Sequence, residues 1–153
     1  MDAFLRWSHP TLLEPRLFHC CALWQVLAAL GLDPAEQAAP DRGPVSTLLL
    51  PGWSQPLQVS STHCEPNTPT TFRLGEGSAA AHLFALFEAA DLARDPLDAA
   101  AWVFWLVPGR QLHPDRRSIG LQALLRARGA GQSLQQLPAA IAQLSTDLLA
   151  RRQ

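Results

Sequence analysis

The chain has 153 residues, a formal net charge of −1 and 48% hydrophobic side chains, enough for one domain with its own core. All 12 basic residues are Arg, and there is no Lys or Tyr, which excludes Schiff-base and phosphate-loop lysine chemistry and tyrosine acid catalysis. Only 16% of residues are charged, which fits a GC-rich genome that replaces Lys with Ala, Arg and Pro, or else apolar surface left for partners.

The net charge argues against a general nucleic-acid binder, which would be basic. The charge is uneven, however. Residues 1–78 carry four Arg against seven acids, and residues 79–153 carry eight Arg against six. The stretch from Arg110 to Arg128 holds five Arg and one acid, Asp115. Met1-Asp2-Ala3-Phe4 lacks the basic start and apolar core of a signal peptide. The uncharged apolar run Ala99 to Val107 is far short of the ~20 residues that cross a bilayer. Three cysteines fit reduced thiols. These features predict a cytoplasmic protein with no membrane role.

In chain order, Phe4 to Pro10 reads as a short apolar arm. Pro15 opens a helix that runs to about Leu30, with Leu17, Cys21, Trp24 and Ala28 on one face. Gly31 ends it. Asp33-Pro34-Ala35-Glu36 starts a short second helix. Asp41 to Pro44 is a turn, and Val45 to Leu50 is a strand candidate. Leu57 to Ser60 alternates as a half-buried strand does, and Thr70 to Leu74 is a third candidate.

From Ser78 onward the pattern predicts helices. Ser78 caps one to about Ala93. Asp95-Pro96-Leu97-Asp98 starts the next, which buries Phe104 and Trp105 and stops at Pro108-Gly109. Ser118 caps a third through Arg128. Ser133 to Gln136 resembles a capping box before a last helix striped with Leu137, Ile141, Leu144 and Leu148. The predicted fold is α+β and mainly α-helical. It has about five helices and a small antiparallel β element in residues 45–74. The chain is a single domain, with a mixed part at 1–76 and a helical part at 77–153.

Chemistry-bearing clusters are sparse. His19-Cys20-Cys21 and His63-Cys64 are the metal-like groups, but adjacent ligands on a helix point in different directions, so no metal is predicted. Ser54 lacks the second glycine of a nucleophile elbow. Asp95 and Asp98 read as helix starts, and Glu88 and Asp91 as a solvated face. No catalytic residue and no cofactor are predicted. The candidate partner-binding residues are Trp102, Trp105, Arg110, Arg116 and Arg117. Tryptophan and arginine are enriched at binding hot spots, and a loop guanidinium suits an acidic partner.

Phe87-Glu88, Asp95-Pro96, Ala100-Ala101, Trp105-Leu106-Val107-Pro108, Leu112, Ser118, Leu124-Leu125 and Ile141 carry a resemblance. The stretch from Leu86 to about Leu144 resembles the toxin-binding domain of Xre/MbcA/ParS-type antitoxins. His113-Pro114-Asp115 stands where that family has glycines, and residues before it do not read as a helix-turn-helix. The resemblance implies a helical module that docks onto a protein such as a toxin, without DNA binding. The expected function is thus a non-enzymatic, antitoxin-like interaction module. Its alternatives are a subunit of a larger bacterial assembly, able to self-associate, and a small enzyme or metal protein using His63 and Cys64.

Overall fold

The computed structural model describes residues 17–37, 45–64, 67–88 and 97–151. Among these residues the chain forms six strands and three α-helices. Helix α1 is Leu17–Ala29. Strands β1 to β5 are Val45–Leu48, Leu57–His63, Thr71–Arg73, Ala81–Phe87 and Trp102–Pro108. Strand β6 (Ser118–Gly120) leads directly into α2 (Leu121–Arg128), and α3 is Leu137–Ala150.

Four strands make one sheet in the order β1-β2-β4-β5. Strand β2 is antiparallel to β1 and parallel to β4, and β4 is antiparallel to β5. Strands β3 and β6 form a separate antiparallel ribbon, with Phe72 opposite Ile119.

The two-residue period of the strands sends side chains into two cores. Ala81, Leu83, Ala85 and Phe87 of β4, with Trp102, Phe104 and Leu106 of β5, join the core built with α1 and α3. Phe84 and Leu86, with Trp105 and Val107, join Phe72, Ile119 and Leu124 in a second core under the ribbon and α2. The molecule is therefore three layers: helices, sheet, and ribbon with α2.

The mainly helical expectation is corrected here. The predicted helix from Ser78 is β4, and the predicted helix over Trp102 and Trp105 is β5. All seven residues of β4 are buried. A strand covered on both faces loses its polar alternation and reads as a continuous apolar run, which periodicity cannot distinguish from a buried helix. The cap at Asp98 is real: its carboxylate accepts from the Ala100 amide at 3.0 Å. It starts only the single 3-10 turn Ala99–Ala101, after which the backbone extends into β5. Residues 77–153 are thus mixed rather than helical, and Trp105-Leu106-Val107-Pro108 of the antitoxin resemblance lies on a strand. The β element is also wider than 45–74, because β3 pairs with β6 from the second half of the chain.

Other expectations match. Helix α1 lies within the predicted stretch, although Trp24 of the predicted face is half-buried and Ala28 exposed, and β1 and β2 form the predicted antiparallel pair. Asp33 accepts from the Ala35 amide and caps the 3-10 turn Pro34–Glu36. The Gln136 side chain accepts from the Ser133 amide at 2.9 Å, and Leu137, Ile141 and Leu144 are the buried stripe of α3. The arm at Phe4–Pro10, Pro15, the turn at Asp41–Pro44 and the acids Asp91 and Asp95 lie outside the described residues. No helix among the described residues is long and apolar enough to cross a membrane.

Polar side chains of the sheet fix the flanking layers. The His19 ring on α1 lies 2.8 Å from Ser61 Oγ of β2 and 2.8 Å from Ser46 Oγ of β1. A neutral ring has one donor and one acceptor nitrogen, so it bonds both hydroxyls at once. On the ribbon face, Ser60 Oγ donates to the Arg73 carbonyl at 2.6 Å and Gln58 Oε1 accepts from the Gly75 amide at 2.9 Å. These two bonds seat the ribbon on β2.

The outer edge of β5 is covered. Phe104 and Gln132 exchange backbone bonds at 2.9 and 2.7 Å, and the Arg128 guanidinium donates to the Leu106 carbonyl at 2.9 Å. Gly131 allows this strap to lie flat, since a Cβ there would run into Val103 and Trp105.

Candidate functional site

The residues that could meet a partner converge where the sheet layer ends, around Arg110. Strand β5 stops at Pro108, and a 3-10 turn, Gly109–Gln111, follows. The Gly109 amide donates to the Ala80 carbonyl at 2.9 Å, and a Cβ on Gly109 would run into the Ala79 carbonyl. Only glycine allows this close approach. It presses the start of the turn against the segment before β4 and holds exposed Arg110 at the seam between two clefts, beside a third of about 420 Å³ whose lining also includes Arg128 and Asp147.

One cleft, of about 330 Å³, is mainly apolar. Trp53, Leu148 and Leu149 line it, with Arg110 and Arg151 on its rim. Trp53 is fixed by its indole N–H, which donates to Ser145 Oγ at 2.7 Å, and Ser145 in turn donates to the Ile141 carbonyl. Leu149 is 55% exposed, an apolar side chain that folding leaves in water.

The second cleft, of about 490 Å³, lies across the seam. Gly75, Gly77, Ser78, His82, Arg110, His113 and Arg116 line it. The described lining residues of the two clefts include no carboxylate. Arg116 sits on the tight turn from His113, and its Nε donates to the Ser118 carbonyl at 2.9 Å. His82 is 9% exposed and stacks on Phe84 at 6.0 Å. Burial pushes its pKa below the usual histidine value, so the ring is neutral at pH 7.

Of the five predicted partner residues, the structure brings Arg110 and Arg116 to one cleft. Arg117 is exposed at the end of the ribbon, outside both clefts, and its carbonyl accepts from the Leu74 amide. Trp102 and Trp105 are buried, 2% and 4% exposed, and join the two cores on opposite faces of β5. Their odd spacing along the chain suits two cores, one on each side of a strand. Trp105 places its N–H on the Gly129 carbonyl at 3.0 Å. Arg128 serves the edge of β5 and also reaches Gln111 Oε1 at 3.2 Å. Sequence reasoning missed His82, Trp53 and Leu149. The signal for His82 was a lone imidazole in an apolar run, legible only once that run is read as a strand.

The metal-like clusters do not assemble. No group of three His, Cys, Asp or Glu side chains able to hold an ion occurs among the described residues. His63 lines a small 180 Å³ pocket among Thr62, Thr68, Thr70 and Thr71, and Cys64 is not part of it. The Ser46–His19–Ser61 group joins two hydroxyls through one imidazole with no carboxylate among its described partners, and His19 is only 2% exposed.

No protein-family model matches the chain, and neither a curated protein nor a solved structure matches it.

Proposed function

We propose that this chain is a non-catalytic docking module that seats a segment of a partner protein on the Arg110 face. The observation that carries the reading is an exposed apolar cleft, formed by Trp53, Leu148 and Leu149, rimmed by Arg110 and Arg151 with no carboxylate among its described lining residues. Exposed apolar surface beside unpaired guanidiniums is a common composition of interaction sites. The partner segment that complements it carries an aliphatic or aromatic anchor next to acidic groups. An acidic toxin and an acidic subunit of an assembly both have this chemistry, and the identity of the bound protein separates them.

The test is capture of partners from the native host by the intact chain and by Leu149→Asp and Arg110→Glu. A stoichiometric partner held by the wild type and lost by both variants, at unchanged melting temperature, supports the reading. A partner retained by both variants, or no stoichiometric partner at all, overturns it. Rim arginines act at long range, so association should also slow as salt rises.

A further inference from the structure

The cleft across the seam from the apolar one has its own chemistry. We infer that it is an oxyanion site for a phosphate monoester group, held between Arg110, Arg116 and the Gly77–Ala79 segment over His82. The inference rests on the same face as the docking reading but does not require the ligand to be a protein.

Four observations support it. The cleft has about 490 Å³, and its described lining has two guanidiniums and two imidazoles; the nearby carboxylate of Asp115 lies outside the lining, 3.9 Å from His113 Nδ1. Its strongest donors are unspent. The Arg110 guanidinium has no hydrogen bond or ion pair among the described residues, and Arg116 uses only Nε, which leaves its terminal nitrogens for a ligand. The amides of Gly77, Ser78 and Ala79 likewise have no partner among the described residues. Finally, His82 Nδ1 is buried without a hydrogen-bond partner. An orphaned buried imidazole nitrogen is costly, and a ligand that draws the ring into a hydrogen bond would relieve that cost.

The geometry favours phosphate over carboxylate. The lining residues that carry donors come from three separate segments: the loop before β4, the turn after β5, and the turn at Arg116. A tetrahedral oxyanion presents oxygens to all three, whereas a carboxylate has two oxygens in one plane. Paired guanidiniums bind phosphate through charge-assisted, often bidentate bonds.

The experiment is an NMR titration of the full chain at constant ionic strength with inorganic phosphate, phosphoserine and adenosine monophosphate, using sodium chloride as the control. The expected result is saturable shifts at His82 and the Gly77–Ala79 amides with phosphate probes and none with chloride. Arg110→Gln and Arg116→Gln should each weaken binding about tenfold. Arg126→Gln, exposed on α2 outside the cleft, should leave it unchanged. Tighter binding of phosphoserine places the group on a modified protein side chain, and tighter binding of the nucleotide places it on a small molecule. Absence of saturation, or an equal loss in Arg126→Gln, overturns the inference. Phosphate binding without partner capture would overturn the docking reading alone, and the reverse result would overturn this one alone.

Discussion

On the helix side of the sheet, the inward residues of β4 from Ala81 to Phe87 all sit in the core built with α1 and α3. On the ribbon side, Phe84 and Leu86 are roofed by Phe72, Ile119 and Leu124, while His82 at the start of the strand lines an open cleft. The same strand is therefore sealed on one face and open at one end of the other. The helices are long enough to cover the sheet. The ribbon, three residues per strand, is not. Where the cover ends, the apolar alternation of β4 ends too, and an imidazole takes the place of a Leu or Phe.

The largest effect that would test this comparison is loss of the ribbon-side core. Phe84 is fully buried and its ring lies 5.2 Å from that of Phe72. Phe84→Ala should cost about 3–5 kcal/mol in urea unfolding, the same scale as Phe104→Ala on the helix side. A much smaller loss for Phe84 would mean that the ribbon is only loosely seated.

The helix side should fail first in acid. Burial lowers the His19 pKa from 6.5 to about 4. The folded state therefore binds the neutral ring, and its contribution is full above pH 6.5. As pH falls from 6.5 to about 4 the unfolded chain takes the proton first, and about 3 kcal/mol of stability is lost. His82 is shifted in the same direction and adds to the slope. Denaturation midpoints measured across this range should fall more steeply for the wild type than for His19→Gln. Parallel curves would refute the assignment.

A smaller effect is expected at the seam. Gly109→Ala forces the turn away from Ala79 and should cost about 1–3 kcal/mol. It should also weaken whatever Arg110 binds by more than the stability loss explains, as measured by titration at a temperature where the variant is folded. The smallest effect on folding belongs to Leu149→Asp, within about 0.5 kcal/mol because the side chain is exposed. Thermal melts check that value, and a larger drop would show that Leu149 supports α3.

The sequence pattern was most legible where a residue faces water on one side. The α3 stripe of Leu137, Ile141 and Leu144 alternates with exposed Pro138, Ala139, Ala142 and Gln143, and its period is plain. Strands β4 and β5 were not legible, because covering both faces removes the polar half of the pattern. Asp98 then misled, since the same side-chain-to-amide bond that starts a helix also closes a single turn; Ser78 precedes the strand β4 and caps no helix. The alternation Val103, Trp105, Val107 against Trp102, Phe104, Leu106 was the one strand signal present. The candidate site was half legible. Arg110 and Arg116 stood out by charge, but the loop that opposes them, Gly75 to Ala79, and the ring beneath, His82, depend on strand register and not on spacing along the chain.

The strap over β5 has a consequence for how copies of this molecule meet. A sheet with a bare flank invites a neighbour to extend it, and repeated extension is the route to fibrils. Here Gln132 already occupies the Phe104 position, Arg128 caps the next carbonyl outward, and Pro108 offers no N–H. A second chain would have to displace bonds already made. An apolar, sparsely charged chain with a continuous buried strand at its centre is thereby kept from templating its own aggregation along that flank.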